Sequence, residues 1–260
     1  MNLHIDKNEF DLLMNSKLVG QFVIGSKLYG LDDADSDTDY LVIYHPFRNQ
    51  LQSPFNNHHQ FQYKDAENNA DYNFVDSITF IKNLIKGDST INYELLHSEQ
   101  FKSCSLSFLM SFIPAFRTYT ICKAYLGFAN RDLKMLNQRK THKDKLSGML
   151  HAKRSYYYAA SIFEENFKLD LVELKVYKEH LRTLSYIDPK YLSESREVID
   201  NYRKQIINPA MENKTIARYL EPQVQHLIDL HFQKAIEIND TKLDLTRIYE
   251  ANEEIELKYE

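Results

Sequence analysis

Two short apolar runs that enclose a glycine–serine pair and an acidic stretch constrain the fold of this chain most strongly. The first run, residues 18–24, leads directly into Gly25 and Ser26, and the second, residues 40–44, follows the acidic stretch 32–39. A compact apolar run that ends at a glycine is typical of a buried strand followed by a tight turn. We therefore predict two strands, with a turn after the first and the acidic stretch leading into the second.

The region of the predicted sheet contains two further features. Residues 71–75 form a third candidate strand, and the Asn-, Gln- and His-rich segment 46–70 before it is interpreted as a long surface loop that could hold a hairpin. Near the start of the chain, Asp6 and Glu9 have the spacing of a helix capping box, which predicts a short opening helix. The predicted sheet is therefore small.

From Asp76 onward the apolar residues recur at helical spacing. Asp76 is placed to cap the start of a helix, and Gly87 is placed to cap its end. The expected class is α+β, with a small mixed sheet flanked by helices in residues 1–105 and an all-helical C-terminal domain in residues 106–260. The later segments with helical spacing are 106–116, 117–137, 142–167, 170–185, 192–207, 213–238 and 244–258.

Composition limits the classes of protein to which this chain can belong. Apolar residues make up 43% of the 260 residues and charged residues 27%, which is ordinary for a globular protein. The most apolar segment, 104–116, contains three serines and a proline and is too short to cross a bilayer, so we expect no membrane association. Because only two cysteines are present and the first ten residues lack an apolar leader, we expect a reducing, cytoplasmic location.

Charge is distributed unevenly along the chain. The net charge is -5, which excludes the overall basic field of a general nucleic-acid coat. Between Arg131 and Arg154, however, eight basic residues stand against two acidic ones. This basic segment either holds an anion or is a solvated helix face, and its charge alone does not separate the two interpretations.

The segment between the first two strands has the residue types of a phosphate and metal site. Gly25 allows backbone amides to approach an anion closely, Ser26 adds a hydroxyl donor, and Lys27 adds a positive charge. Side chains two apart in a strand point to the same face, so Asp37 and Asp39 project together and repel each other unless a cation lies between them. Carboxylate oxygens suit Mg²⁺, with Mn²⁺ as the alternative.

Two other interpretations of the acidic stretch were weighed. An EF-hand calcium loop that starts at Asp33 is excluded, because its sixth position is Thr38 rather than glycine and its twelfth is Tyr44 rather than glutamate. A plain acidic turn stays open when either element is taken alone. The glycine–serine pair and the Asp-x-Asp pattern together, between two apolar runs, favour the metal site.

Residues 22–44, FVIGSKLYGLDDADSDTDYLVIY, resemble the signature of the DNA polymerase beta nucleotidyltransferase superfamily. The narrower patterns GSK, YGL and SDTD within it are similar to the branch described as predicted nucleotidyltransferases associated with RNA repair, which usually has arginine where Lys27 stands. DYNFV at 71–75, ELL at 94–96 and HAKR at 151–154 extend the resemblance, which covers about residues 18–165. We interpret Glu94 as ordering a loop and the two following leucines as core.

The resemblance implies an ATP- or other NTP-dependent transferase that acts in RNA repair. Gly25 and Ser26 would bind the β- and γ-phosphates, Asp37 and Asp39 would hold Mg²⁺, and Asp71 would complete the carboxylate cluster. A nucleoside monophosphate would pass to an acceptor hydroxyl, on RNA in this branch, with pyrophosphate leaving. Asp76 is an alternative third carboxylate, but its parity in the strand differs from that of Asp71 and it is explained as a helix cap.

The basic helix supplies further nucleotide-binding candidates. At 100° per residue, Ser147, His151, Arg154 and Tyr158 share one polar face that could meet a triphosphate or stack on a base. Together with the resemblance, this face makes His151 and Arg154 nucleotide-binding candidates, and Lys145 is a third.

Two rival functions remain open at this point. The same site could transfer a nucleotide to a protein side chain or to a small molecule, as related minimal nucleotidyltransferases do. Alternatively, the chain could be a non-catalytic nucleotide-binding or antitoxin module whose helical half binds a protein partner of unspecified identity. The retained glycine–serine turn and Asp-x-Asp pattern favour an active enzyme.

Overall fold

The computed structural model describes residues 3–4, 18–34, 36–45, 60–87, 89–116, 119–169, 171–185, 193–194, 196–198, 200–201 and 204–205. The predicted opening helix and the predicted helices at 213–238 and 244–258 lie outside these residues. The described residues between 193 and 205 are helical, as their spacing predicts.

A five-stranded mixed sheet forms the first part of the chain. Its order is β1-β4-β5-β3-β2, in which the pairs β1–β4 and β3–β5 are parallel and the pairs β2–β3 and β4–β5 are antiparallel. The predicted strands at 18–24, 40–44 and 71–75 are confirmed, the last two with slightly wider bounds. The strands are β1 (Leu3–His4), β2 (Leu18–Ile24), β3 (Thr38–Tyr44), β4 (Gln60–Asp65) and β5 (Ala70–Asp76).

Segment 46–70 was predicted to be a long loop that could hold a hairpin, and its described part contains strand β4. Residues 60–65 form a hairpin with β5 through a turn at 66–69, in which Asn69 adopts a left-handed backbone with φ of 48°. The segment reads QFQYKD, and its apolar and polar residues alternate with the period of a half-buried strand. Because segment 46–70 is rich in polar residues, its composition alone does not reveal this alternation.

Helices make up the remainder of the described chain. No strand follows Asp76 within the residues described, so the α+β class is confirmed. The predicted helix at 106–116 is mostly a 3₁₀ helix, Ser107–Phe112, and becomes α-helical only at its end. The α-helices are α1 (Gly25–Leu28), α2 (Ser77–Lys86), α3 (Thr90–Leu96), α4 (Ile113–Phe116), α5 (Tyr119–Met135), α6 (His142–Phe163) and α7 (Val172–Thr183).

One hydrophobic cluster joins the sheet to the helices. Leu41 and Ile43 of β3 point to the same face as Asp39 and pack with α3, α5 and α6. The leucines at 95 and 96 are fully buried, as predicted, whereas Glu94 does not order a loop but lies buried within α3. The cluster contains residues from both sides of the expected domain division at 105, which stays a prediction.

The opposite face of the sheet carries a second, smaller hydrophobic cluster. Val42 and Tyr44 of β3 pack there with Phe74 of β5, because side chains of opposite parity in a strand point to opposite faces. Cys122 is buried and Cys104 is half-buried, and the two do not form a disulfide with each other. Among the described residues, no helix is long and apolar enough to cross a membrane.

Asp76 caps helix α2 as the sequence predicts. One oxygen of its carboxylate, Oδ1, accepts hydrogen bonds from the backbone amides of Ile78 and Thr79, both at 2.9 Å. At the other end, Gly87 adopts the left-handed conformation with φ of 68°. These contacts explain Asp76 without a catalytic role, and its strand parity keeps it off the face that carries Asp71.

We expect Asp76→Ala to lower the free energy of unfolding by about 1–2 kcal/mol, because two amides at the start of α2 lose their acceptor. Asp76→Asn is the matched control, since asparagine also caps helices but carries no charge. Urea unfolding followed by circular dichroism measures both variants. An Asp76→Ala midpoint equal to that of the wild type would contradict the assigned role of the cap.

Candidate active site

Three carboxylates converge at the edge of the sheet where strands β3 and β5 begin. Asp39 of β3 pairs in register with Asp71 of the parallel strand β5 and with Ile24 of β2. Asp37 lies two residues before Asp39 and has the same parity. Ligand oxygens of the three aspartates all lie within 4.8 Å of one another. The structure therefore brings together the carboxylates that the sequence analysis selected.

Gly25 brings the backbone of the first turn against this cluster. Its φ is +69°, a conformation that side chains other than that of glycine rarely adopt. A methyl group in place of its hydrogen would lie 2.5 Å from Asp39 Oδ2. The position thus demands glycine for two reasons, backbone conformation and the close approach to the carboxylate.

The electrostatics of the cluster favour a bound cation. Burial raises the pKa of Asp39, and the carboxylates of Asp37 and Asp71 raise it further. Lys64 forms an ion pair with Asp71 at 3.1 Å. The lysine side chain is 69% exposed, so solvent screens its charge and it offsets little of the repulsion among the carboxylates. Three carboxylates with so little counter-charge fit a divalent cation that prefers oxygen ligands.

A cavity of about 800 Å³ opens beside the carboxylates. It brings residues of the glycine–serine turn, the acidic stretch, α6 and α7 to one space. Its lining consists of Gly25, Ser26, Leu31, Asp33, Ser36, Asp37, Asp39, Asn69, Lys143, Leu146, Ser147, Leu150, His151, Arg154, Lys178, Leu181 and Arg182. Both anionic and cationic side chains therefore face a common volume.

The nucleotide-binding candidates are only partly brought together. His151 and Arg154 line the cavity, as does Ser26. Lys145 is not among the lining residues, whereas Lys143, two positions earlier on α6, is. The ammonium group of Lys27 donates a hydrogen bond to the Thr38 hydroxyl and does not line the cavity either. The nucleotide-binding roles of these residues stay predictions.

Tyr158 does not lie on the polar face that helical spacing assigned to it. Its side chain is fully buried, and its hydroxyl donates to the Leu169 carbonyl at 2.7 Å. Tyr158 does lie near Arg154, with the guanidinium carbon 6.0 Å from the centre of its ring. The ring, however, packs in the core against the rings of Tyr29, Tyr125 and Phe167. Tyr158 is therefore a core residue and not a platform for a base.

His151 faces the cavity with a neutral ring. Protein around the ring lowers the pKa of His151 to about 4, and Arg154 acts in the same direction, although the side chain stays accessible. The imidazole is consequently uncharged at neutral pH and can donate or accept a hydrogen bond.

The sequence analysis did not find the contribution of α7 to the cavity. Lys178 donates to the carbonyl oxygens of Leu31 and Asp32 at 2.6 and 2.9 Å and pairs with Asp33 at 2.6 Å. Arg182, one turn later, also pairs with Asp33. The hydrogen bond from Lys178 lowers the pKa of Asp33. The spacing of four between these cations was the only local signal, and it is common on solvated helices.

Comparison with known proteins adds little to this geometry. No protein-family model matches the chain, and no curated protein sequence matches it. Among solved structures, a nucleotidyltransferase-like protein from Exiguobacterium sibiricum is similar over 78% of this chain and 75% of its own, with 10% identity and a TM-score of 0.33.

We expect Gly25→Ala to weaken divalent-cation binding, because the added methyl group displaces the Asp39 carboxylate. The left-handed backbone alone should cost about 1–2 kcal/mol of stability. Gly127→Ala is the matched control, because nothing beyond its chain neighbours and the local helix backbone lies within 4 Å of the added methyl group, and alanine favours the helix. Calorimetric titration with Mn²⁺ measures binding, and equal affinity in the two variants would contradict the argument.

Asp39→Asn should raise the melting temperature of the metal-free protein at neutral pH. The pKa of Asp39 is raised in the folded state, so the folded protein holds the carboxyl proton more tightly than the unfolded chain does. Protonated Asp39 therefore stabilises the fold at low pH, and this contribution to the free energy of unfolding is lost as the pH rises through the raised pKa. The gain from Asp39→Asn should therefore shrink on acidification, and Mg²⁺ should stabilise the wild type more than the variant. Thermal unfolding in EDTA and in Mg²⁺ checks this, with the exposed Glu67→Gln as control. A variant less stable than the wild type in EDTA would contradict it.

Proposed function

We propose that this protein is a divalent-metal-dependent nucleotidyltransferase that moves a nucleoside monophosphate from a nucleoside triphosphate to an acceptor hydroxyl, with pyrophosphate leaving. One observation carries the proposal: three carboxylates meet beside the Gly25 turn, at a cavity that is also lined by cations. Phosphoryl-transfer sites need this combination, because they must hold a metal and neutralise a polyphosphate.

Asp37, Asp39 and Asp71 are the residues that would hold Mg²⁺, or Mn²⁺ in its place. When bound, such an ion neutralises phosphate oxygens and increases the acidity of an acceptor hydroxyl. The protein supplies the fixed register of β3 and β5, which holds two of the carboxylates side by side before any metal arrives. Lys64 restrains the Asp71 carboxylate through its ion pair.

The phosphates are assigned to the turn and to the cationic part of the lining. Gly25 and Ser26 both line the cavity, and the Ser26 hydroxyl can donate a hydrogen bond to a phosphate oxygen there. The cations that line the cavity, which offset the charge of the triphosphate, are Lys143, Arg154, Lys178 and Arg182. The protein then acts mainly by positioning and neutralising.

The base and sugar are assigned to the apolar part of the same lining. Leu146, Leu150 and Leu181 supply apolar surface, and neutral His151 supplies a hydrogen-bonding group without charge. A volume of about 800 Å³ is within the usual range for a small-molecule site. We propose RNA as the acceptor, on the resemblance to the RNA-repair branch, and transfer to a protein or small molecule is a separate outcome of the test.

The proposal predicts that Asp37→Asn/Asp39→Asn lowers nucleotidyl transfer at least about 10³-fold while the protein stays folded, since removal of carboxylate repulsion does not destabilise the metal-free site. Purified protein is incubated with Mg²⁺, each labelled nucleoside triphosphate in turn, and either RNA or a cell lysate. Glu67→Gln is the matched control, because this exposed carboxylate lies near the site in the chain but outside the cluster.

Each outcome of this assay has a defined meaning. Label in RNA that is lost in the double variant supports the full proposal. Label only in protein or small molecules keeps the nucleotidyltransferase and overturns RNA as the acceptor. Nucleotide binding without transfer to any acceptor overturns the enzyme and leaves a nucleotide-binding module.

A further inference from the structure

Two oppositely charged side chains lie close together at the cavity, one in its lining and one behind it, and the proposed reaction assigns no role to the second. Arg154 lines the cavity from α6. Glu94, on α3, is 1% exposed and does not line the cavity. A carboxylate so deeply buried is costly unless it is satisfied by hydrogen bonds and a nearby cation.

Two tyrosine hydroxyls satisfy Glu94. Tyr125 donates to Oε1 at 2.8 Å, and Tyr29 donates to Oε2. Burial raises the pKa of Glu94, while Arg154 and the two hydroxyls act against that rise. Both tyrosines are themselves buried, so these hydrogen bonds are shielded from competing water.

Tyr29 also contacts Arg154 directly. The guanidinium carbon lies 4.1 Å from the centre of the Tyr29 ring, within the range of a cation–π interaction. The Tyr158 ring is more distant at 6.0 Å. Tyr29 thus connects the two charged residues, through its hydroxyl to Glu94 and through its ring to Arg154.

The guanidinium of Arg154 is not saturated by protein acceptors. Its Nε atom is buried and has no hydrogen-bond partner among the residues that the structure describes. A guanidinium stays protonated and carries five donors, so the part of Arg154 that lines the cavity favours an anion there, whereas Nε itself is enclosed. Aromatic contact holds the plane of the group without using those donors.

We propose that Glu94 is a positioning residue that, through Tyr29, orients the Arg154 guanidinium for the polyphosphate of the nucleotide. The hydrogen bond from Tyr29 holds the ring on which the guanidinium lies, and the buried carboxylate supplies its counter-charge. An arginine held in this way loses less side-chain entropy when it binds than a free one does. The inference rests on the proposed function for the identity of the anion, and its test does not require catalysis.

The test measures binding of inorganic tripolyphosphate in the presence of Mg²⁺ by calorimetry. This probe reports on the phosphate site whatever the base. Glu94→Gln should weaken tripolyphosphate binding about tenfold, because the guanidinium loses its counter-charge and its fixed orientation. The same change should have no further effect in an Arg154→Gln background, since coupled residues are not additive. In a transfer assay it should raise the KM for the nucleotide more than it lowers kcat.

Tyr29→Phe and Tyr125→Phe form the matched pair. Each removes one hydroxyl from Glu94 within the core, but only the Tyr29 ring carries the guanidinium at 4.1 Å. We expect Tyr29→Phe to weaken tripolyphosphate binding about threefold and Tyr125→Phe to leave it near the wild-type value, with similar losses of stability. If Glu94→Gln fails to fold, this pair of variants still tests whether Tyr29 links Glu94 to Arg154.

Equal affinities in the two tyrosine variants, or additive effects of Glu94→Gln and Arg154→Gln, overturn the positioning role. Failure of the proposed function is a different result. Wild-type protein that binds tripolyphosphate with Glu94–Arg154 coupling, yet transfers no nucleotide to any acceptor, retains the inference and rejects the enzyme.

Discussion

The mutual repulsion of three carboxylates, held together by strand register, is the constraint on which the rest of the site depends. Asp39 and Asp71 cannot move apart without breaking the parallel pairing of β3 with β5. On the side of β2 the Gly25 backbone packs against the Asp39 carboxylate, where any larger residue would collide with it. The folded protein therefore concentrates negative charge at one point, and a divalent cation bound there would neutralise it. This is the usual physical arrangement of a preorganised metal site.

The helical part of the chain supplies the opposite charge and closes the cavity. Lys178 and Arg182 of α7 bind the loop that carries Asp33, so the acidic stretch is anchored by residues about 150 positions away. Arg154 adds a cation from α6, set on aromatic rings of the core. An anionic and a cationic half, contributed by distant segments, then face the same volume. The metal–polyphosphate complex that we propose as the ligand would have a charge pattern that matches both halves.

Some elements could be predicted because local physics decides them. Strand β2 ends where an apolar run meets Gly25, and Asp76 and Gly87 bound α2 through caps that involve only neighbouring residues. Predictions failed where contacts with other elements decide the outcome. Strand β4 is stabilised by pairing with β5 across a short turn, which the polar composition of 46–70 does not reveal. Tyr158 is buried against the rings of Tyr29 and Tyr125, and the hydroxyls of the same two tyrosines bind the buried Glu94.

The sequence by itself determined the α+β class, the glycine turn and the parity that sends Asp37 and Asp39 to one face. Short-range steric and hydrogen-bonding rules are sufficient for these, since they act between residues a few positions apart. Only the tertiary structure decided that Asp71 joins them, that α7 lines the cavity and that Glu94 reaches Arg154 through Tyr29. Those contacts arise from strand order and helix packing, in which burial of a shared core, rather than any local pattern, brings distant polar groups together.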